Sequence, residues 1–245
     1  MKIQYISDLH LERQMNRIFF ERNPIPPHAD YLILVGDIIP IKDSDQIAFF
    51  LDHISKVFTK VFWLPGNHEF YGSDYDLYES CNVPIRENVF LVNNQFIVVE
   101  DKEFIFSTLW SNLDIRKRWH LQYHINDFKY IQYQSDYIDV LNYNKFHWSA
   151  VDFIKSRLVD TMNKNKIIIT HHCPVRLPQL NLDTLHSAYC SELEYLIQTY
   201  QPDFWLYGHT HTSDDVIKID QTKLITNQFC IDRENRIAKT KCIDL

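Results

Sequence analysis

Five short apolar runs, each ending in a polar cluster, constrain this chain more than any other feature. Lys2–Ser7 ends at Asp8, and Tyr31–Val35 ends at Gly36-Asp37. Lys60–Leu64 ends at Pro65-Gly66-Asn67-His68, Lys166–Thr170 at His171, and Asp203–Tyr207 at Gly208-His209. Continuous apolar runs of this length read as strands buried on both faces. In an open α/β sheet the ligand site lies beyond the carboxyl ends of the strands. Five clusters scattered along the chain therefore converge on one rim.

The glycines point to the same places. The chain has only 4, at 36, 66, 72 and 208. A sequence this poor in glycine keeps it where the backbone turns tightly or approaches another group closely. Three stand in Gly36-Asp37, Gly66-Asn67-His68-Glu69 and Gly208-His209-Thr210-His211, and Asp8-Leu9-His10 and His171-His172 complete the set. Carboxylate, amide and imidazole donors bind first-row divalent metals. The pattern reads as a two-metal hydrolase.

Helical candidates fill the gaps at roughly Ser44–Ser55, Tyr143–Met162 and Ala188–Tyr200. In the last, Leu193, Leu196 and Ile197 share one face. Two hairpins are expected: Asn88–Val99 with Glu103–Leu109, and Val216–Ile219 with Lys223–Thr226. Trp110–Asn142 is dense in aromatic and cationic residues, among them Trp119, Tyr123, Arg116, Arg118, His120 and His124. It reads either as a cap inserted over the rim or as a second small aromatic core. Neither a repeat nor a Gly/Ser linker divides the chain, so residues 1–245 are expected to form a single domain.

The formal net charge of −7 argues against a general nucleic-acid surface. The 5 cysteines are odd in number and contain no CxxC pair. With no signal-peptide pattern at the opening residues, this points to free thiols in a reducing, cytoplasmic setting. No apolar run approaches the ~20 residues that span a bilayer.

Asp-x-His, Gly-Asp, Gly-Asn-His-Glu, His-His and Gly-His-x-His, in that order from Asp8 to His211, resemble the calcineurin-like metallophosphoesterase superfamily. The resemblance implies an α/β fold of the α+β type: a four-layer α/β/β/α sandwich of two mixed sheets with outer helices. It places a dimetal site at the rim of strand carboxyl ends. Carried over residue by residue, Asp8, His10 and His211 would hold one ion. Asn67, His171 and His209 would hold the other, and Asp37 would bridge both. His68 would stand near the leaving group and, with Asp37, carry the catalysis. Glu69 and His172 would sit behind the ligands and orient them. Two divalent ions about 3.5–4 Å apart share a carboxylate and a hydroxide, and the bridging hydroxide attacks phosphorus in line. The donor set suits Mn, Fe, Co or Zn without choosing among them.

The function expected is metal-dependent hydrolysis of a small phosphoester, with a lean toward a phosphodiester or nucleotide because the cap is aromatic. The alternatives are a phosphomonoesterase acting on a metabolite or phosphoprotein, and a non-catalytic metal-binding scaffold. The expected partner is a small phosphoester substrate, not nucleic acid or a membrane, and the oligomeric state is left open.

Overall fold

The computed structural model describes residues 1–160, 165–177, 185–211, 216–229 and 241–245. In chain order the first elements are β1 (Lys2–Ile6), α1 (Gln14–Arg22), β2 (Tyr31–Val35), α2 (Ala48–Val57) and β3 (Lys60–Leu64). Next come β4 (Cys81–Arg86), β5 (Val89–Asn93), β6 (Gln95–Val99) and β7 (Lys102–Ser107). The aromatic segment holds α3 (Arg118–His124), α4 (Asp127–Tyr130) and a two-stranded ribbon of β8 (Gln132–Tyr133) and β9 (Asp136–Tyr137). The rest is α5 (Val140–Val159), β10 (Asn165–Thr170), α6 (Glu194–Tyr200), β11 (Phe204–Tyr207), β12 (Ile217–Ile219), β13 (Thr222–Thr226) and β14 (Lys241–Asp244).

Two sheets have the orders β14-β1-β2-β3-β5-β4 and β12-β13-β11-β10-β7-β6. In each, the inner strands run parallel and both edge strands are antiparallel. Both are therefore mixed sheets, and they pack face to face. Successive residues of a strand point to opposite faces. Ile33, Val35, Phe62 and Leu64 of the first sheet accordingly share one apolar cluster with Phe104, Phe106, Ile167, Ile169 and Leu206 of the second. The opposite faces are covered by helices. Leu32, Leu34 and Trp63 pack with Phe20 of α1 and with Phe50, Leu51 and Ile54 of α2. Ile168 and Trp205 pack with Ala150, Val151 and Ile154 of α5 and Leu196 of α6. This is the four-layer sandwich. A fully buried Leu, Ile or Phe in such layers contributes about 1.5–3 kcal/mol.

The expected strand Asn88–Val99 is two strands. Asn94, in the left-handed region (φ 46°), turns the chain from β5 in one sheet to β6 in the other. The hairpin that remains is β6 with β7. The hairpin of β12 and β13 forms. The helix expected from Ala188 starts only at Glu194, because the backbone at Cys190 pairs with that at Cys173 in a single parallel β-bridge, both thiols being free. The expected helix end at Met162 lies outside the described residues, as does Cys230. Gln14–Arg22 is helical although its periodicity does not announce it, since only Asn16 and Phe20 are buried.

Within 110–142, Trp110, Leu113, Leu121, Phe128, Ile131, Ile138 and Val140 form an apolar cluster with Phe70, Tyr75, Tyr143 and Phe146. Asp139 caps α5 reciprocally with Asn142. The first turns of α5 bury Tyr143 and Phe146 in this cluster, and later turns bury Ile154 against the second sheet. One helix thus fixes the aromatic segment to the sandwich. Among the described residues, no helix is long and apolar enough to cross a membrane.

Candidate metal centre

The polar clusters do sit at strand carboxyl ends, three in the first sheet and two in the second. Asp8 follows β1, Asp37 follows β2, and Asn67 and His68 follow β3. His171 follows β10, and His209 and His211 follow β11. Backbone bonds tie these ends together. Asp8 N donates to Gly36 O at 2.9 Å, His10 N to Asp37 O at 2.9 Å, and Gly208 N to His171 O at 2.9 Å. His209 N donates across the two sheets to Asp8 Oδ1 at 3.1 Å.

Asp8, His10, Asp37, His209 and His211 all have positive φ, between 44° and 68°. Asp and His enter this region more readily than most residues, but each such position still costs about 1–3 kcal/mol. The surrounding fold over-determines the strain. Its effect is to turn these five side chains into a common space.

Three groups of donors result among the described residues. Asp8, His10 and His211 offer ligand atoms within 4.8 Å of one another, and so do Asp37, His171 and His209, and His10, Glu12 and His68. His211 Nε2 is 3.2 Å from Asp8 Oδ1, and His10 Nε2 is 3.3 Å from His211 Nε2. Asp37 lies between the groups, with Oδ1 3.3 Å from His171 Nε2 and Oδ2 3.8 Å from His10 Nε2. Asn67 lines the same cavity as Asp37 and His209 and carries an orphaned atom. Its Nδ2 donates to Asp127 Oδ1 at 2.8 Å, while its Oδ1 is buried with no hydrogen-bond partner among the described residues.

Hydrogen bonds behind the ring donors fix their tautomers. His171 Nδ1 donates to Val35 O at 2.8 Å, which leaves the buried Nε2 to face the Asp37 carboxylate. His209 Nε2 donates to Ala188 O at 3.2 Å and leaves Nδ1 as its candidate donor atom. Unpaired buried donors and acceptors are costly. Oxygen and imidazole atoms converging in this way fit first-row divalent ions.

The titration directions follow from crowding. Burial alone would raise the Asp37 carboxyl, but the His171, His68 and His10 imidazoles hold it well below the usual range. Burial opposes charge on His171, yet the Asp37 carboxylate outweighs it and pushes the imidazole up to about 10. A carboxylate and an imidazole held this close are a pair whose shared proton a divalent cation would replace. His209 is held down to about 3 by burial and by the charge on His171. For His68, burial is overcome by the Asp37 and Glu12 carboxylates, and the imidazole rises to about 9.

Glu69 lies under this layer, fully buried. Its two oxygens accept from Asp37 N, Ile38 N, Gly66 N and Trp63 Nε1 at 2.7–3.0 Å. It thereby clamps the loops after β2 and β3 to each other. Burial and the Asp37 charge push its carboxyl up to about 7. His172 has both nitrogens engaged: Nδ1 donates to Thr108 O at 3.2 Å, and Nε2 faces the Tyr143 hydroxyl at 3.1 Å.

The family model described as calcineurin-like phosphoesterase matches residues 1–213. The chain belongs to this family. The calcineurin-like chain is 30% identical to the uncharacterized protein L509 of Acanthamoeba polyphaga mimivirus, over 88% of its own length and 86% of the relative's. It is 20% identical to the 3',5'-cyclic adenosine monophosphate phosphodiesterase CpdA of Escherichia coli K12, over 94% and 77% of the two chains. The crystal structure of the phosphopantetheinyl hydrolase PptH from Mycobacterium tuberculosis superposes with a TM-score of 0.74 at 17% identity, covering 99% of this chain and 95% of that one. That likeness shows the fold.

Beside the calcineurin-like motifs stand residues that sequence spacing misses. Glu12 Oε1 lies 2.9 Å from His10 Nδ1 and 3.1 Å from His68 Nδ1. Its only signal is its place two residues after His10. Asp127, from the aromatic segment, accepts from Asn67 Nδ2 and from Tyr71 OH, both at 2.8 Å. No motif spacing marks it. Tyr71 also stacks on His68 with ring centroids 4.4 Å apart. A cavity of about 490 Å³ opens over the donors, with Arg13, Tyr71, His124, Asp127 and Tyr189 in its wall.

Proposed function

We propose that this protein hydrolyses a small phosphodiester with two divalent first-row ions. Asp8, His10 and His211 would hold one ion, Asn67, His171 and His209 the other, and Asp37 both. The observation that carries this reading is the meeting of the two donor groups at Asp37, with His68 beside them. Two ions bound there supply a nucleophile at neutral pH and Lewis acidity toward phosphoryl oxygens.

The side chains supply the rest. Asp37 is shared between the groups and is braced by the His68 backbone N–H, which donates to Asp37 Oδ1 at 3.0 Å. His68 Nε2 faces Asp37 Oδ2 at 4.0 Å. From there it donates a proton to the leaving oxygen as the P–O bond breaks and the water-derived oxygen bonds to phosphorus. The cavity of about 490 Å³ is the size of a small-molecule site. Tyr71 and Tyr189 in its wall offer rings to whatever the phosphate carries. The phosphodiesterase named among the relatives supports the diester preference.

The test is to strip the protein of metal, reload it with Mn²⁺, Co²⁺, Fe²⁺ or Zn²⁺, and assay bis-p-nitrophenyl phosphate beside p-nitrophenyl phosphate, with Asp37→Ala as the blank. The expected result is metal-dependent diester cleavage that the variant lacks. Monoester cleavage alone makes the protein a phosphomonoesterase. Silence on both with ions bound means either a cap selective for another substrate or a scaffold.

A further inference from the structure

Glu12 lies in the loop between β1 and α1, two residues past His10. One of its oxygens, Oε1, is within hydrogen-bond distance of two imidazoles, His10 Nδ1 at 2.9 Å and His68 Nδ1 at 3.1 Å. The other, Oε2, is buried without a hydrogen-bond partner among the described residues. The two rings meet edge to face, with centroids 4.6 Å apart. A carboxylate oxygen only accepts, so both Nδ1 atoms donate to it. Both Nε2 atoms then face inward. That of His10 is 3.8 Å from Asp37 Oδ2, and that of His68 is 4.0 Å from the same oxygen.

We infer that Glu12 is a positioning residue shared by two functions, fixing His10 as a metal ligand and His68 as the leaving-group donor through one carboxylate oxygen. The inference rests on the reading of His68 given above. A carboxylate behind an imidazole sets the tautomer, orients the ring and strengthens its outer nitrogen as a ligand. What distinguishes Glu12 is that it does so for two rings that act on different parts of the reaction. Losing it must therefore loosen metal binding and leaving-group assistance together. Glu12→Gln keeps an acceptor oxygen at the same reach and restores part of each.

The experiment compares Glu12→Ala, Glu12→Gln and His68→Ala with the wild type. Mn²⁺ affinity is measured by titrating the metal-free proteins, and thermal midpoints check folding. Rates at saturating Mn²⁺ are measured on aryl methyl phosphodiesters of good and poor leaving groups. The expected result for Glu12→Ala is a loss of about 10–100-fold in the affinity of the weaker ion, with a rate that falls more for poor leaving groups than for good ones. His68→Ala should show the second effect alone, and Glu12→Gln should fall between Glu12→Ala and the wild type on both. Steepened leaving-group dependence in His68→Ala but not in Glu12→Ala overturns the inference while leaving the His68 reading intact. Unchanged Mn²⁺ affinity in a folded Glu12→Ala overturns the shared role as well. No steepening in His68→Ala removes the donor reading, and the inference falls with it.

Discussion

Gly66→Ala should damage the centre through space alone. Gly66 does not have positive φ, so its backbone admits a side chain. An added Cβ would overlap Asp37 Oδ1 and lie 2.7 Å from both Asp37 N and His171 Nε2. Ordinary contact begins at 3.4 Å, so these groups must retreat by roughly 1 Å. Neither has slack. Asp37 N is tied to Glu69 Oε2 at 2.8 Å, Gly66 N to the same oxygen at 2.7 Å, and His171 Nδ1 to Val35 O at 2.8 Å. Overpacking of this kind costs about 1–3 kcal/mol of stability. A donor misplaced by about 1 Å costs on the order of 100-fold in rate, or about 2.7 kcal/mol of barrier. Gly72→Ala is the control. Its φ of 72° makes it strained, by about 1–2 kcal/mol, but the added Cβ meets only the flexible end of Lys42. Denaturant midpoints, metal content by elemental analysis and bis-p-nitrophenyl phosphate turnover separate the two variants. A Gly66→Ala protein that binds two ions and turns over within threefold of wild type would refute the packing argument.

Asp127→Ala releases the Asn67 amide and the Tyr71 hydroxyl, and should weaken binding of one ion by about 10–100-fold; an unchanged metal titration would show that Asn67 needs no anchor. His147 is buried, bonds Leu109 O and Trp110 O, and its pKa is lowered from 6.5 by burial. The unfolded chain therefore binds its proton more readily, so this contribution is full above pH 6.5 and is lost as pH falls below it. His147→Gln should flatten the acid side of a stability-against-pH curve, and an unaltered slope would exclude this residue as the source. Metal removal should lower the thermal midpoint, since an ion at 100 times its Kd stabilises by about 2.7 kcal/mol. Equal midpoints for stripped and reloaded protein would contradict ion binding to the folded centre.

Strands were legible where burial is two-sided. Tyr31–Val35 and Lys60–Leu64 are strands residue for residue, because a run apolar on both faces has few other places to go. Sheet membership was not legible. Nothing local tells that Asn94 carries the chain from one sheet to the other, because that choice is made by what packs across the sandwich. α1 was hidden for a related reason, since it buries little and its polar faces look like loop. In the centre, the residues at strand ends could be read because the chain delivers them directly. Glu12 and Asp127 act on partners reached through the fold, 56 residues away at His68 and 60 at Asn67. No spacing rule encodes those contacts. The aromatic density of 110–142 was plain, but not that it hides a carboxylate bonded to Asn67.

Anomalous diffraction from crystals grown with Mn²⁺ locates the ions themselves. Two peaks per chain are expected, one among Asp8, His10 and His211 and one among Asn67, His171 and His209, with Asp37 touching both. A single peak, or two that do not share Asp37, would contradict the proposed two-ion centre.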